Sequence, residues 1–310
     1  MMSEAVRLYL ARDSYLRGLT DSALSERLVH WVNNCTQLSS SGMVLLCATE
    51  NPDFFHRLLD VISETALRHG DVSAAQDRSM WDTSRNVMIN PGQETTEKIN
   101  RLSHFLQPNG PPFLLRFGSR SNMQELVASG GLLFQEASTF GNAENLSVQD
   151  DELTLLMKRY IPTNELHHIL ETPVPTPFEG PGMGLNFALS CPNFLVLCMT
   201  DTINFRMISD WNAEAVAVIH DPLEFKRRLK DVTADLISGA GAKQLEGGKV
   251  RYIDPYFPLS RPDVPFCKHY KFAYQREYRF VIRGPKRVTF AQRKLALGPL
   301  KDIATFVDLT

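Results

Sequence analysis

The string Pro108-Asn109-Gly110-Pro111-Pro112 divides this chain into two kinds of sequence. Three prolines and a glycine within five residues allow neither a helix interior nor a central strand. Proline lacks the amide donor and fixes φ, and Asn-Gly favours a turn. Before this breaker the apolar residues keep helical spacing. Residues 21–33 carry Leu24, Leu28, Trp31 and Val32 on one stripe. Asn51-Pro52-Asp53 opens a second helix, with Asn51 as cap and Pro52 in its first turn. Its stripe of Phe54, Phe55, Leu58, Leu59, Ile62, Ala66 and Leu67 runs until Gly70 stops it. Residues 70–96 are polar and aperiodic around a turn at Asn90-Pro91-Gly92, and a short helix is expected over 96–106.

After the breaker the apolar residues fall into short runs. Strands are expected at 113–117, 132–136, 194–199, 215–219, 250–253, 272–282 and 288–290. Helices are expected at 121–129, 151–170 and 221–236, with a Pro/Gly-rich loop at 172–184 and a Pro- and aromatic-rich loop at 255–265. The expected organisation is a helical N-terminal region, 1–106, followed by an α+β sheet domain, 107–310.

Bulk properties narrow the class. With 43% hydrophobic and 22% charged residues, the 310-residue chain has an ordinary globular composition and ample length for a core. A formal net charge of -2 supplies no global basic field for nucleic acid, although a local patch is not excluded by the total. Cys35, Cys47, Cys191, Cys198 and Cys267 are odd in number, widely spaced and without zinc spacing, which reads as reduced thiols. No secretory apolar region opens the chain and no run of about 18 apolar residues occurs, so a cytoplasmic protein without a membrane span is expected.

Three segments carry candidate chemistry. In Tyr274-Gln275-Arg276-Glu277-Tyr278-Arg279-Phe280, taken as a buried edge strand, alternation places Gln275, Glu277 and Arg279 on one face. A Gln-x-Glu pair can grip a ribose hydroxyl and stabilise positive charge at its anomeric carbon; the plain alternative is a solvated strand face. Arg116 sits in the apolar run Leu114-Leu115-Arg116-Phe117, where an unpaired guanidinium is expensive. It must snorkel, pair with an acid or bind an anion, and its planar fork suits phosphate. Ala137-Ser138-Thr139-Phe140 follows a strand, and its hydroxyls and ring suit either a ribose and a flat base or an ordinary turn.

In that order, Arg116, then Ser138-Thr139-Phe140, then Gln275-x-Glu277 resembles the Arg–Ser–Glu class of ADP-ribosyltransferases. The resemblance implies a split β-sheet core with flanking helices and cleavage of NAD at its nicotinamide–ribose bond, without a metal. It implies that Arg116 holds the phosphate or ribose of NAD, that Ser138 and Thr139 brace the glutamate and ribose, and that Phe140 stacks. Phe140 stands where the family has a third hydroxyl residue, which departs from the pattern. Glu277 matches the catalytic glutamate and Gln275 the residue orienting the acceptor, while Tyr256 lies in the counterpart of the target-recognition loop. Leu115-Arg116-Phe117, Gln149-Asp150-Asp151-Glu152-Leu153 and Val196-Leu197-Cys198-Met199-Thr200 also look like segments of bacterial phage-defence proteins. Within that group the chain is similar to the transferase toxin of a chaperone–toxin–antitoxin system. This implies messenger RNA as acceptor and an antitoxin and a chaperone as partners, with the N-terminal region docking the antitoxin or positioning the target.

Other motifs compete. Asp150-Asp151-Glu152 could hold Mg²⁺ for a nuclease, or could be acids complementing a helix N-terminus. Transfer to a protein target and a non-catalytic nucleotide-binding module are the remaining alternatives. His167-His168 and His269 read as structural, Gly180-Pro181-Gly182-Met183-Gly184 as a flexible loop, and Lys226-Arg227-Arg228 with Lys230 as a solvated basic face able to meet RNA.

Overall fold

A computed structural model describes residues 4–11, 15–38, 44–46, 52–70, 92–103, 112–142, 149–161, 183–202, 204–239, 244–257, 261–284 and 293–310. The expected strand at 288–290, the Asn51 cap, His167-His168, Gly180-Pro181-Gly182 and most of the breaker at Pro108 lie outside these residues.

In the N-terminal region the described helices are α1 (Glu4–Leu10), α2 (Asp21–Cys35), α3 (Pro52–His69) and α4 (Gly92–Ser103), with a small ladder of β1 (Thr36–Leu38) and β2 (Val44–Leu46). The α2 and α3 stripes expected from spacing pack together: Leu24, Leu28, Trp31, Leu58 and Val61 form one core with Tyr9 and Leu16. That core also takes in Tyr270, from the C-terminal half. Helix α4 turns the other way, placing Ile99 and Leu102 against the sheet. Residues on either side of the expected boundary at 106/107 thus share two cores.

The remaining described elements are β3 (Leu114–Gly118), α5 (Arg120–Ser129), β4 (Gly131–Glu136), β5 (Thr154–Ile161), β6 (Met183–Ser190) and β7 (Phe194–Thr200). They continue with α6 (Arg206–Asp210), β8 (Ala215–Ile219), α7 (Pro222–Gly239), β9 (Leu245–Lys249), β10 (Arg251–Ile253) and β11 (Cys267–His269). β12 (Glu277–Arg283), β13 (Arg293–Ala296) and β14 (Ala304–Asp308) close the chain. An eight-stranded sheet runs β13-β4-β7-β3-β8-β14, with β12 beside β7 and β9 beyond it, and all its ladders are antiparallel. Both faces are covered, since α5 and α7 pack on one and α4 and α6 on the other. β8, Ala-Val-Ala-Val-Ile, is therefore buried on both sides, as a continuous apolar run in a central strand requires. The architecture is α+β around a mostly antiparallel sheet.

One feature of the sheet matters for the site. β7 pairs with β12 along its whole length, but its other edge is shared. β4 meets it at Val196 and Leu195, and β3 meets it only at Thr200. Between those contacts the sheet forks, and the carbonyl of Cys198 faces the gap.

Several expectations need correction. Residues 151–161 are a turn followed by β5, hairpinned with β6, and no helix forms there. The segment expected as one strand over 272–282 begins as the 3-10 helix Tyr270–Gln275. Arg276 is left-handed (φ 42°, ψ 52°), and the strand begins at Glu277. β12 is also no edge strand, because β7 and β9 flank it. Its neighbour β9 contains Gly247 and Gly248, which hid it from a propensity reading. The glycines are explained by packing: a Cβ at Gly247 would lie 3.3 Å from the Phe280 ring. No helix among the described residues is long and apolar enough to cross a membrane.

Candidate functional site

The fork places Arg116, from the middle of β3, at the mouth of a cleft of about 460 Å³. The cleft is lined by Phe140, Glu152, Cys198, Trp211, Lys268, Gln275 and Glu277 among others. Three segments far apart in sequence thus meet: Arg116, Phe140 and the Gln275–Glu277 pair share one cavity.

Arg116 resolves its sequence-level ambiguity toward a free cation. Its Nη1 donates to the Cys198 carbonyl at 2.7 Å, filling the gap left by the fork. Among the described residues no carboxylate lies within ion-pair range of it, and burial pulls its pKa down. The same guanidinium borders a second, more open cleft of about 760 Å³ between α5 and β4. An unpaired, half-buried guanidinium with most of its five donors free is suited to an anionic ligand.

Gln275 and Glu277 do lie together, although a left-handed residue separates the turn from the strand. The Thr200 hydroxyl donates to the Arg276 carbonyl at 3.2 Å and steadies that junction. Lys268 Nζ donates to Glu277 Oε1 at 2.7 Å and to Gln275 Oε1 at 3.3 Å. Arg279 Nε donates to Glu277 Oε2 at 2.8 Å, and the Glu277 amide donates to Tyr252 Oη at 2.7 Å. Arg279 also forks onto Glu152, with Nη2 2.8 Å from Oε1 and Nη1 2.7 Å from Oε2. Lys268 reaches Glu152 at 3.3 Å. Two acids and two cations, all buried, form a closed neutral network.

Such a network costs desolvation and repays it only when every charge is matched. Burial opposes ionisation of Glu277, but Arg279 and Lys268 outweigh it and hold the carboxyl down at about 2. Burial likewise opposes charge on Lys268, but Glu277 and Glu152 raise its pKa above the ordinary range. The Cys198 thiol is pushed up to about 12 by burial and by Glu277, so it is inert at neutral pH. Asp150 rises to about 6 through burial and the nearby Glu152 charge.

The turn that carries Gln275 is held from the N-terminal region. Asn34 on α2 accepts from the Tyr274 amide at 2.9 Å and donates to the Tyr270 carbonyl at 2.8 Å, bracketing the 3-10 helix. Tyr270 stacks on Trp31 with centroids 4.3 Å apart. Below it Arg27 and Asp254 form a buried ion pair. Gln275 Nε2 donates to Tyr274 Oη at 3.3 Å, and that hydroxyl donates to Asp210 at 2.7 Å.

The other expected site residues lie elsewhere. Ser138 and Thr139 are exposed and brace their own turn. Ser138 Oγ donates to Glu136 Oε2 at 3.3 Å and accepts from Asn193 Nδ2 at 3.1 Å, and Thr139 Oγ1 donates to the Glu136 carbonyl at 2.7 Å. Neither lines the cleft. Tyr256 faces the N-terminal helices, its ring centroid 5.1 Å from the Arg27 guanidinium carbon. His269 accepts from the Lys271 amide at 3.2 Å, and burial and His30 keep it neutral with a pKa near about 3.

Two competing motifs lose their ligands to neighbours. In Asp150-Asp151-Glu152, Glu152 is committed to Arg279 and Lys268, and Asp151 accepts from the Leu153 amide at 3.0 Å. Among the described residues no three His, Cys, Asp or Glu side chains gather as metal ligands. In the basic run on α7, Arg227 is taken by Glu224 and Asp231, and Arg228 by Glu224 and Asp302.

Sequence reading missed Lys268 and Trp211, and named Glu152 only within the acidic run Asp150-Asp151-Glu152. Arg279 was placed on the right face but given no partner. For Lys268 the only local signal is a lysine flanked by Cys267 and His269 close to the pair it serves. Comparison with protein-family models, with curated proteins and with solved structures finds no match to this chain.

Proposed function

We propose that this chain is an NAD-dependent ADP-ribosyltransferase whose site is the cleft at the fork of the sheet. The observation that carries the reading is the meeting of Arg116, Phe140, Gln275 and Glu277 in one cavity. These residues were singled out by their order in the sequence, and nothing in that order obliges them to be neighbours. Arg116, without an acid partner, binds the phosphates of NAD. Phe140 offers a ring face to a flat base.

Glu277 stays ionised at every working pH. Each of its oxygens accepts one bond from the protein, which leaves lone pairs for a ribose hydroxyl. In the reaction the bond between ribose C1′ and the nicotinamide nitrogen breaks, and its electron pair goes to the ring, neutralising it. The carboxylate stabilises the cation left at C1′. A nucleophile of the acceptor then bonds to C1′ and sheds its proton. The acceptor is a macromolecule. Messenger RNA, an antitoxin and a chaperone follow from the resemblance alone.

A second reading has one observation in its favour. Lys268 and Arg279 both neutralise Glu277, which weakens its field at a developing cation. A module that binds a nucleotide without turning it over would tolerate this. Incubation with NAD labelled in its adenylate part, with separate RNA, DNA and protein pools, separates the readings. The transferase labels one pool and releases nicotinamide, and Glu277→Gln abolishes both while the protein stays folded. Full labelling by E277Q, or no nicotinamide release by the wild type, would remove the assignment.

A further inference from the structure

Lys268 is the residue that joins the two halves of the Gln275–Glu277 pair. Its ammonium is buried and lines the cleft, donates to Glu277 Oε1 at 2.7 Å and to Gln275 Oε1 at 3.3 Å, and forms an ion pair with Glu152 Oε1 at 3.3 Å. By holding the Gln275 carbonyl it directs the amide nitrogen the other way, onto the Tyr274 hydroxyl. It also borders a neighbouring cavity of about 600 Å³ that contains Asp150, so it stands in the wall between two hollows.

Charge gives this position a second consequence. The charged residues lining the cleft are Arg116, Lys268, Glu152 and Glu277, two of each sign. Removing Lys268 leaves two carboxylates with Arg116 across the cleft and Arg279 behind them as their remaining partner. Phosphate oxygens would then approach a wall one charge less positive, in a poorly solvated site where that difference is weakly screened.

We propose that Lys268 is the positioning residue of this cleft: its one ammonium fixes the side chains of Gln275 and Glu277 together and balances the carboxylates so that an anionic dinucleotide can enter. The ligand class rests on the transferase reading, whereas the positioning of Glu277 does not. The groups facing Glu277 are Arg279 on its own strand, Lys268 from β11, Cys198 on β7 and Tyr252 on β10; Glu152, from the turn before β5, shares Lys268 and Arg279 with it, and Asp150 acts on Glu152, Lys268 and Arg279.

The test uses the full chain as wild type, Lys268→Met, Lys268→Arg and the double variant Lys268→Met/Glu152→Gln. Three readouts are taken: the carboxyl ¹³C titration of Glu277, NAD affinity by calorimetry, and nicotinamide release. In K268M the Glu277 midpoint should rise by roughly one pH unit or more, a tenfold change in proton affinity. NAD affinity should fall about tenfold or more, in line with the loss of a charge-assisted partner. K268R should recover part of both. The double variant removes one charge of each sign, so it should fold where K268M is impaired and should regain NAD affinity while Gln275 stays unanchored.

A merely structural lysine would lower stability without moving the Glu277 midpoint. An unchanged midpoint in folded K268M overturns the positioning; unchanged NAD affinity in K268M, or no recovery of it in the double variant, overturns the charge balance. Wild type that binds no NAD, with a midpoint that still moves, removes the transferase reading and the dinucleotide while leaving the positioning established.

Discussion

Replacing Asp254 by Ala strands the Arg27 guanidinium in a pocket where only 4% of the residue is exposed. The pair links α2 to the residue just after β10, 227 positions later. It is therefore a direct probe of whether the N-terminal helices dock on the half of the chain that carries the cleft. Breaking a buried ion pair by removing one partner costs about 3–5 kcal/mol, because the surviving charge is left without compensation. Here four aromatic rings surround the guanidinium carbon, Tyr15, Trp31, Tyr256 and Tyr270, at 5.1 to 5.8 Å. Their faces keep about 1 kcal/mol of the cation's stabilisation in all. Asp254→Ala should then cost about 3 kcal/mol.

Arg27→Met removes the charge but leaves the Asp254 carboxylate with the Tyr256 amide, which donates to it at 3.1 Å, so its cost should be smaller, about 2 kcal/mol. The double variant should cost far less than the sum, since no charge remains buried. The assay is urea unfolding of the four proteins, followed by tryptophan fluorescence, with Trp31 in the same core as a local reporter. A coupling of about 2 kcal/mol or more is expected. Additive losses would refute the docking, because residues that do not touch have no coupling to lose.

Two further outcomes follow from single residues. Gly130 caps α5 in the left-handed region (φ 70°), and a Cβ there would run into the Gly298 carbonyl and lie 2.8 Å from the Leu297 nitrogen. Gly130→Ala should lower stability by more than the roughly 1–2 kcal/mol of left-handed strain alone, read as a fall in the urea midpoint. Burial and the Glu152 charge push Asp150 up to about 6 in the folded protein, above the 3.8 ordinary for aspartate, so the native state prefers the protonated form. The stability linked to that proton is fully present below pH 3.8 and is lost as pH rises through about 6. Asp150→Asn should stabilise the protein at pH 7 by about 2 kcal/mol and have no effect at pH 3.5, measured by unfolding at both.

Much of the sheet was legible because its central strands are short apolar runs. β3, β4, β7 and β8 each stand within a residue or two of the expected span; in β7 and β8 burial on both faces leaves no room for polar alternation. β5 was misread because Leu153, Leu155, Leu156 and Met157 satisfy a helical stripe as well as an alternating one. Its partner β6, which settles the matter, comes 22 residues further on. In the site, Arg116 announced itself as a charge inside an apolar run, where burial demands a reason, and Glu277 as half of a Gln-x-Glu pair. Lys268 gave no such warning, and Glu152 drew notice only as one of three adjacent acids, because what makes these two important is each other. Ion pairing across 116 and 127 residues has no periodicity to detect. Ser138 and Thr139 show the reverse: a recognisable string whose hydroxyls serve Glu136 and Asn193 and do not line the cleft.

The cleft owes its existence to hydrogen bonds that the sheet does not make. Were β3 to run two residues further along β7, the Cys198 carbonyl would find a backbone partner, Arg116 would lose its place and the hollow would close. Such a zippered chain would be more stable by the measure of its ladder and would have nowhere to put a ligand. Selection for stability alone therefore pushes against this site, and a directed search for thermostable variants should repeatedly find substitutions that tighten the β3–β7 seam.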